Sequence, residues 1–377
     1  MMKILMTGGG TGGHVYPAIA IANTLKANIP DVEIAFVGTP SGIENRICKS
    51  EGYGIYHVEV RGIKRSLSLS NLKALYLAWE SPRKAKKIID DFKPDAVIGT
   101  GGYVSWPITL AAARAGIPTL LHESNVYPGL VVRKLQGKVD RILMNFKDTE
   151  KYLQNAELER LICVGNPLRR AFETVKKDDA RKRLGIPLDA KVILSYGGSR
   201  GAQKMNETIV EFMNANRDKN TIHIHSTGDI GKTEFRRKFV EYGLDKCENI
   251  RLYEYINNMP DMMAAADVII CRAGAMTVSE ISMMRRAAIF IPSPNVAENH
   301  QFKNAKLLAD KDAAAVIEEK DLTVGLLTEK TDRILGDDEY RKCMESRVGE
   351  FANPQANRLI YDEIIKLVNN YMNKSYC

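Results

Sequence analysis

The segment MMKILMTGGGTGGHVYPAIAIANTLKAN (1–28) decides the fold of the first half of the chain. Its apolar start is typical of a β-strand, which stops at residues 8–13, five of them glycine. His14 follows, and we expect an amphipathic helix from Pro17. Glycine lets the backbone approach a bound group closely, and a helix N-terminus offers N–H groups to an anion. The segment therefore predicts a strand, a loop and a helix, and it leaves open whether the loop binds phosphate or only turns the chain.

Length and composition are those of a globular protein with more than one domain. The 377 residues are 45% hydrophobic and 27% charged. Domains usually hold about 100–200 residues, so we expect two. No apolar run in the sequence approaches the roughly 18 residues of a membrane span. The six cysteines form no CxxC pair, which favours reduced thiols in a cytoplasmic protein over a disulfide framework or a zinc site.

Short apolar runs alternate with helical patterns along the chain. Runs of Val, Ile and Leu fit strands buried on both faces of a parallel sheet, and their alternation with helices predicts doubly wound α/β domains. The pattern relaxes over residues 165–190, which are charged and contain two prolines. We therefore predict two Rossmann-like domains, 1–164 and 165–353, with a helix over 354–374 that completes the first. The predicted strands are KILMT, EIAFVG, IYHVEV, AVIGT, TLLHE, RILMN and LICVG in the first domain, and VILSYGG, TIHIHSTG, IRLYEYI, ADVIICRAG, AAIFIPS and AAAVIEE in the second.

Three glycine-rich loops follow predicted strands: TGGGTGGH (7–14), GTGGYVSWP (99–107) and GGSRGAQKMN (197–206). Ligands bind at the carboxyl ends of strands in open α/β sheets. A single glycine turn is as easily explained by chain geometry. Three such loops favour phosphate or sugar binding.

The first loop contains GxGxxG, at Gly8, Gly10 and Gly13, which is a weak dinucleotide signal. An NAD site also needs an acid at the end of the second strand, and that strand ends at Gly38 and Thr39 instead. NAD is therefore disfavoured. The chain has no GxxxxGK[ST] motif, so a P-loop is excluded.

Seven motifs in one order across residues 1–360 closely resemble the MurG family of bacterial peptidoglycan N-acetylglucosaminyltransferases: GGGTGGHVYPAIAIA, GTGGYVSWP, HESNVYPG, VGNPLR, GGSRGAQ, CRAGAMTVSEI and ENHQFKNA. The resemblance implies the GT-B architecture, two Rossmann-like domains facing across a cleft. It also implies inverting transfer of GlcNAc from UDP-GlcNAc to lipid I, the undecaprenyl-diphosphate-linked muramyl-pentapeptide, which gives β-1,4-linked lipid II. Such an enzyme serves cell wall biogenesis, and through it cell shape and division.

Three other functions fit the same pattern. They are an inverting GT-B transferase with a soluble acceptor, a UDP-GlcNAc 2-epimerase, and a UDP-sugar-binding protein without turnover. An epimerase would need no acceptor, and a binding protein would release no product.

The second domain is expected to hold the donor. Glu280 could accept hydrogen bonds from both ribose hydroxyls, although an acid near a helix start is also favourable by itself. Ser199 could contact a phosphate or cap a helix, and Arg272 could contact the diphosphate or pair with an acid. The resemblance implies that Gln301 binds hydroxyl groups of the donor sugar. It implies the same less strongly for His300. The resemblance also implies that Asn125 of the first domain reaches the donor sugar, although it could instead only form an Asx turn. The donor contacts implied in full are Asn125, Arg169, Ser199, Ile256, Arg272, Ala275, Met276, Thr277, Glu280 and Gln301.

His14 is the candidate catalytic residue. Inversion needs one in-line attack, and a histidine with a pKa near 6.5 suits the general base that assists it. The resemblance implies that the backbone of Thr11, Gly12 and Gly13 contacts the acceptor diphosphate, and that Gly102 and Tyr103 form an acceptor loop. Glu123 is a rival base, and His14 could instead only orient its loop.

A metal is not expected. The only Asp-x-Asp sequence, Asp310-Lys311-Asp312, lies at a predicted helix end away from the glycine loops. Loop N–H groups and an arginine can neutralise a leaving diphosphate. We therefore predict neither a metal site nor a cofactor.

Residues 61–93 contain nine Lys or Arg against three Asp or Glu. An apolar stripe rimmed by cations fits a helix that dips into an anionic membrane, while core packing or a solvated face is the plainer explanation. No nucleic-acid-binding signature is present. With the lipid acceptor, we predict peripheral association with the cytoplasmic side of the cell membrane, and other cell-wall synthesis proteins are candidate partners. The predicted membrane residues are Ile63, Lys64, Arg65, Leu72, Leu75, Tyr76 and Trp79.

Overall fold

A computed structural model describes residues 1–60, 70–198 and 200–375, and it leaves the side chains of residues 70–79 and 374–375 undescribed. The chain forms two compact units, Met1–Leu168 with Asn353–Cys377, and Arg169–Ala352. The first unit thus extends to Leu168 rather than 164, and it includes Asn353. The reason is local, since the Asn353 amide donates to the Val164 carbonyl and the Asn357 amide to the Leu168 carbonyl, both at 2.9 Å.

The first unit contains, over its described residues, a parallel sheet in the order β3-β2-β1-β4-β5-β6-β7. This is the Rossmann order, in which the chain winds outward from β1 in both directions. The strands are β1 (Lys3–Gly8), β2 (Glu33–Gly38), β3 (Gly54–His57), β4 (Ala96–Gly101), β5 (Thr119–Glu123), β6 (Arg141–Met144) and β7 (Leu161–Cys163). The helices are α1 (Gly12–Asn28), α2 (Glu44–Ser50), α3 (Ser70–Phe92), α4 (Ser105–Arg114), α5 (Leu130–Leu135) and the C-terminal helix (Ala356–Ser375). Short 3-10 turns cover Lys147–Tyr152 and Leu158–Arg160.

Helix α1 begins at Gly12, not at the expected Pro17. Its first turn is closed by the Val15 N–H, which donates to the Thr11 carbonyl (3.2 Å). The helix is also not amphipathic in its middle, because residues 17–22 are all buried. The C-terminal helix covers it, with Ile360, Ile364, Leu367 and Val368 in the same core as Ile4 and Val15. The early start places Gly12 and Gly13 inside the first helical turn.

The second unit repeats the Rossmann order, β10-β9-β8-β11-β12-β13, again entirely parallel. Its strands are β8 (Lys191–Tyr196), β9 (Thr221–Ser226), β10 (Ile250–Tyr253), β11 (Val268–Cys271), β12 (Ala287–Phe290) and β13 (Ala315–Val316). Its helices are α6 (Ala171–Thr174), α7 (Lys177–Leu184), α8 (Gln203–Asn216), α9 (Lys232–Glu241), α10 (Met259–Ala265), α11 (Ala275–Met284), α12 (His300–Ala309), α13 (Val324–Gly336) and α14 (Asp338–Gly349). The 3-10 turns are Leu244–Lys246, Ala297–Asn299 and Glu319–Asp321.

Strand order explains where the glycine loops meet. In each sheet the order reverses between the first strand and the fourth, β1 and β4 or β8 and β11. The loops at the carboxyl ends of these two strands diverge to opposite faces and leave a crevice between them. All three glycine loops of the sequence follow strands at these two positions. Among the helices of the described ranges, none combines the length and the apolar surface that a bilayer crossing needs.

Candidate active site

The loops after β1 and β4 are in backbone contact. The Gly9 N–H donates to the Gly101 carbonyl (3.3 Å). The Ser105 hydroxyl lies 2.7 Å from the Gly101 carbonyl and 3.1 Å from that of Thr7. A Cβ at Gly102 would lie 2.2 Å from the Gly9 carbonyl oxygen. Position 102 therefore needs glycine, and the two loops form one glycine-lined surface at the edge of the first sheet.

His14 stands on this surface in the first turn of α1. Its Nδ1 atom lies 3.1 Å from the Gly9 carbonyl oxygen and 3.3 Å from the Thr11 hydroxyl. Because a carbonyl oxygen only accepts, Nδ1 carries a hydrogen, and the neutral ring has its lone pair on Nε2. A Cβ at Gly101 would lie 2.7 Å from the ring Cδ2 and 3.1 Å from Nε2. Gly9 thus selects the tautomer, and Gly101 admits the basic edge of the ring.

The predicted acceptor residues border the imidazole. Thr11 is the N-cap of α1, and Gly12 and Gly13 are its first two residues, whose N–H groups precede the intrahelical ladder. Gly102 has φ +82°, and the Tyr103 side chain beside it is exposed. These residues can present N–H groups and an aromatic ring to an anionic ligand.

Thr100 is a member of this site that the sequence analysis missed. Its hydroxyl donates to the His14 carbonyl (2.6 Å). A Cβ at Gly8 would lie 2.1 Å from that hydroxyl oxygen, so glycine at position 8 leaves room for the contact. The motif GTGGY contained the signal, but only the strand order brings it beside the first loop.

Glu123, the rival base, is engaged with its own loop. Its carboxylate accepts the backbone N–H (2.9 Å) and the side-chain amide (3.1 Å) of Asn125, and the N–H of Gly129 (2.7 Å). Burial raises the pKa of Glu123, and these bonds counter that effect. These contacts bind the Glu123 carboxylate to the turn between Asn125 and Gly129.

In the second unit, the loops after β8 and β9 meet through glycines. Gly198, Gly201 and Gly228 all have positive φ, and a Cβ at Gly228 would lie 2.4 Å from the Gly201 nitrogen. Asn206, in the first turn of α8, donates through its amide to the Thr227 carbonyl (3.0 Å). The side chain of Asn206 therefore connects the loop after β9 to helix α8, which follows the loop after β8. Ser199 lies outside the described residues.

A series of buried hydrogen bonds connects strands β8 and β9 to helix α8 beside these loops. Since the Asn206 amide nitrogen donates to carbonyls, its oxygen accepts from His225 Nε2 (3.2 Å). His225 Nδ1 then accepts from the Ser195 hydroxyl (2.8 Å), whose oxygen accepts from His223 Nε2 (2.7 Å). Burial lowers the pKa of His225 to about 3, so this histidine is neutral at physiological pH. The hydrogen bonds of the two histidines connect β8, β9 and α8, which gives both residues a structural role.

Glu280 lies one turn into α11, whose N-cap is Gly274. Burial of the carboxyl group raises the pKa of Glu280 to about 7, and the positive charge of Arg169 partly offsets this. The buried Tyr196 hydroxyl interacts with Cys271 and Thr277 beside it. The first turn of α11 also contains Ala275 and Met276. The predicted donor residues of α11 and Arg169 are thus neighbours in this unit.

Arg272 is engaged elsewhere. Its guanidinium pairs with Glu319 and donates to the Ile291 carbonyl (3.0 Å). The ion pair is one of the two roles expected for Arg272, and the diphosphate contact stays a prediction. The ion pair forms because the chain returns along β12 and β13 and brings the acid to the end of β11.

Gln301 lies in the first turn of α12, and its Oε1 accepts the Ser293 N–H (2.9 Å). This bond fixes the amide and leaves its NH2 group as a donor. His300 Nδ1 lies 2.9 Å from the Ala297 carbonyl, so it carries a hydrogen and orders the turn before α12. Ile256, one of the predicted donor contacts, is buried just after β10.

The Asp-x-Asp sequence is occupied by ion pairs. Asp310 pairs with Lys306 (2.7 Å), and Asp312 pairs with Arg347 (3.0 Å). Within the described ranges, no group of three or more His, Cys, Asp or Glu side chains is arranged to hold a metal.

The predicted membrane residues 63–65 lie outside the described part of the chain, as do the side chains of Leu72, Leu75, Tyr76 and Trp79.

Family comparisons follow the division into two units. Residues 4–144 match the glycosyltransferase family 28 N-terminal domain, and residues 192–359 match its C-terminal domain. The chain belongs to glycosyltransferase family 28. The family 28 match spans both switch points, and it confirms the predicted class of two Rossmann-like α/β domains.

Relatives of this family 28 chain include an enzyme of Thermoanaerobacter sp. (strain X514), 42% identical over 97% of this chain and 100% of its own length. That protein is named UDP-N-acetylglucosamine--N-acetylmuramyl-(pentapeptide) pyrophosphoryl-undecaprenol N-acetylglucosamine transferase. The crystal structure of MurG from Acinetobacter baumannii is 27% identical, with a TM-score of 0.76 over 97% of this chain and 100% of that one. UDP-GlcNAc 2-epimerase from Neisseria meningitidis has a TM-score of 0.70 at 15% identity, over 97% and 100%. The epimerase therefore shares the fold alone.

Proposed function

We propose that this chain transfers GlcNAc from UDP-GlcNAc to the muramyl sugar of a lipid-diphosphate-linked muramyl-pentapeptide, forming the β-1,4-linked disaccharide of peptidoglycan. The observation that carries the proposal is the fixed imidazole of His14, whose Nδ1 faces the Gly9 carbonyl at 3.1 Å on a glycine-lined surface. A binding protein has no need of an oriented base. The name of the 42% identical relative supports the same donor and acceptor.

The reaction is one in-line displacement. The C4 hydroxyl of the muramyl sugar attacks C1 of GlcNAc, its proton passes to Nε2 of His14, and the bond from C1 to UDP breaks. The electron pair leaves with the diphosphate, and one attack converts the α-linked donor into a β-linked product. Held in the Nδ1–H tautomer by Gly9, the ring keeps its lone pair at the nitrogen that takes the proton.

The first unit is assigned to the acceptor and the second to the donor. The first turn of α1, Gly12 and Gly13 above all, offers N–H groups to the acceptor diphosphate. In the second unit the first turn of α11 and the charge of Arg169 stabilise the departing UDP, so we expect no metal requirement. Glu280 binds the ribose hydroxyls, and Gln301 donates its NH2 group to a hydroxyl of the sugar.

The decisive experiment measures UDP release from UDP-GlcNAc with and without a lipid I analogue, and follows the lipid product by mass spectrometry. We expect UDP release only with the acceptor, with one GlcNAc added per lipid, and no loss of activity in EDTA. Release of UDP and a 2-epimerised sugar without acceptor would instead support an epimerase. Binding of UDP-GlcNAc with no turnover under either condition would refute transfer.

We also propose that the chain acts at the cytoplasmic face of the membrane, held there by residues 61–93. The segment has a net charge of +6, nine cations minus three acids. Cations of this density favour anionic headgroups, and an apolar stripe favours the acyl boundary. A lipid-linked acceptor requires such proximity, and cell wall growth, shape and division would depend on it.

Vesicles test this location. Vesicles containing about a third of anionic lipid should sediment the protein, and added salt should weaken binding because exposed charges are screened. Lys64→Glu with Arg65→Glu should weaken binding in the same way. The control is Lys219→Glu, an exposed lysine paired with Asp332 in the second unit, which should bind like the wild type. Equal binding to neutral vesicles would contradict the proposal.

A further inference from the structure

Glu44 is a buried carboxylate behind the first glycine loop. It begins α2 and is 1% exposed. Oε2 accepts the Gly10 N–H (3.1 Å), and Oε1 accepts the Thr39 N–H and the Thr39 hydroxyl (both 2.8 Å). Burial by itself raises the pKa of Glu44, but bonds from the backbone of Thr39, Glu44 and Gly10 and from the Thr39 hydroxyl outweigh it and leave the pKa lowered. The group is therefore an ionised carboxylate that binds a loop of its own chain.

Glycines from two segments make room for it. A Cβ at Gly9 would lie 2.7 Å from Oε1 of Glu44, and one at Gly42 would lie 2.0 Å from the same atom. A Cβ at Gly38 would lie 2.5 Å from its Cγ. The carboxylate therefore fills a space that these glycines leave, and it cannot be moved without moving the first loop.

The contact sets the shape of that loop. Gly10 has φ +83°, and its N–H points to Glu44 rather than outward. Two residues later α1 begins, and Gly12, Gly13 and His14 form its first turn. We propose that Glu44 is a positioning residue for the acceptor. By holding the Gly10 turn, it keeps the first turn of α1 and the His14 imidazole arranged before the acceptor diphosphate arrives.

Preorganisation of this kind strengthens binding because no ordering cost is left for the ligand to meet. The inference rests on the proposed function for the identity of the ligand, but not for the state of the loop. A plain structural role, an acid favouring the N-terminus of α2, would stabilise the fold without favouring one substrate over the other.

The variant Glu44→Gln separates these roles. One amide oxygen can still serve Thr39, while the NH2 group faces the Gly10 N–H, so two donors oppose each other. The matched control is Thr39→Val, which removes the hydroxyl bond to the same carboxylate and leaves the Gly10 bond in place. Should Glu44→Gln not fold, Glu44→Asp keeps the charge and withdraws its reach by one methylene.

Two measurements decide the matter. In hydrogen–deuterium exchange of the unliganded protein, Glu44→Gln should speed exchange in the peptide containing Gly10 about tenfold, and Thr39→Val should not. In steady-state assays, Glu44→Gln should raise the KM for the lipid acceptor about tenfold and leave the KM for UDP-GlcNAc unchanged.

An unchanged exchange rate around Gly10 in Glu44→Gln would overturn the inference. The inference would also fail if Glu44→Gln and Thr39→Val changed the KM values for the lipid acceptor and for UDP-GlcNAc by the same factor. If the wild-type protein makes no lipid product, the proposed function fails by itself. Exchange still decides whether Glu44 holds the loop.

Discussion

One edge of the His14 imidazole lies against the backbone of Gly101: a Cβ at position 101 would lie 2.7 Å from the imidazole Cδ2. The histidine belongs to the first turn of α1, which follows β1, and the glycine ends β4, the strand next to β1 in the sheet. Gly101 also has φ +109°, a conformation that L side chains rarely adopt. The position of the proposed base therefore depends on a missing side chain in another loop.

Replacing His14 by Ala should lower kcat about 10²–10⁴-fold, the usual contribution of a general base. The KM for UDP-GlcNAc should not change, because the donor is assigned to the second unit. Steady-state kinetics with both substrates measure this. His57→Ala, an exposed histidine of the same unit, should behave like the wild type. A kcat within about threefold of the wild type would remove His14 from catalysis.

Gly101→Ala should displace the imidazole and lower kcat about 100-fold, the cost of a misplacement near 1 Å. Positive φ adds strain of about 1–2 kcal/mol. Gly52→Ala is the control for strain, since Gly52 has φ +76° and open space around its Cβ position. Adding Gly101→Ala to His14→Ala should cost little more, because both remove the same base. Full additivity of the two losses would show that Gly101 acts independently of His14.

The pH dependence of donor binding should follow Glu280. Only the ionised carboxylate accepts from two ribose hydroxyls, and burial raises its pKa to about 7. The KM for UDP-GlcNAc should therefore fall as pH rises through about 7, and Glu280→Gln should flatten the profile. Because the charge of Arg169 lowers this pKa, Arg169→Met should shift the midpoint to higher pH, whereas the adjacent Arg170→Met should not. A wild-type profile without a midpoint in this region would contradict the ribose role.

The same carboxyl affects stability with a defined sign. Its pKa is raised on folding from the usual 4.5, so the folded protein holds this proton more tightly than the unfolded chain. The stability it contributes is fully present below about pH 4.5 and is lost as pH rises toward 7. The melting temperature of the wild type relative to Glu280→Gln should fall across that window. A constant difference would mean that the carboxyl is not buried.

Asp267→Asn should destabilise the second unit by about 3–5 kcal/mol, because it leaves the buried guanidinium of Arg181 without its anion. Asp267 also pairs with Lys177 and accepts the Val192 N–H (2.8 Å) at the start of β8 and β11. That end of the sheet is opposite the glycine loops, so turnover at low temperature should persist. Urea unfolding measures the loss, and Asp332→Asn, which breaks an exposed pair with Lys219, should cost less than about 1 kcal/mol. A loss that small for Asp267→Asn would show that the buried pair is not needed.

Local pattern alone was enough to predict the strands and the glycine-rich loops that follow β1, β4 and β8. Strands buried on both faces need continuous apolar runs, and loops that approach a ligand or another backbone need glycine. These demands act on neighbouring residues, so they are visible in a short window of sequence. The predicted start of α1 was wrong, because proline is typical of the first turn of a helix, and Pro17 therefore indicated that the helix starts there. In the structure α1 already begins at Gly12.

Contacts between distant residues could not be predicted in this way. Glu44 reaches Gly10 across 34 positions, and Thr100 reaches the His14 carbonyl across 86. Arg272 pairs with Glu319 across 47 positions. The order of strands in a sheet determines which loops become neighbours, and apolar periodicity is the same for any order. Composition and spacing therefore specified the parts and their chemistry, while the folding of two sheets in Rossmann order decided which side chains hold His14 and the first glycine loop in place.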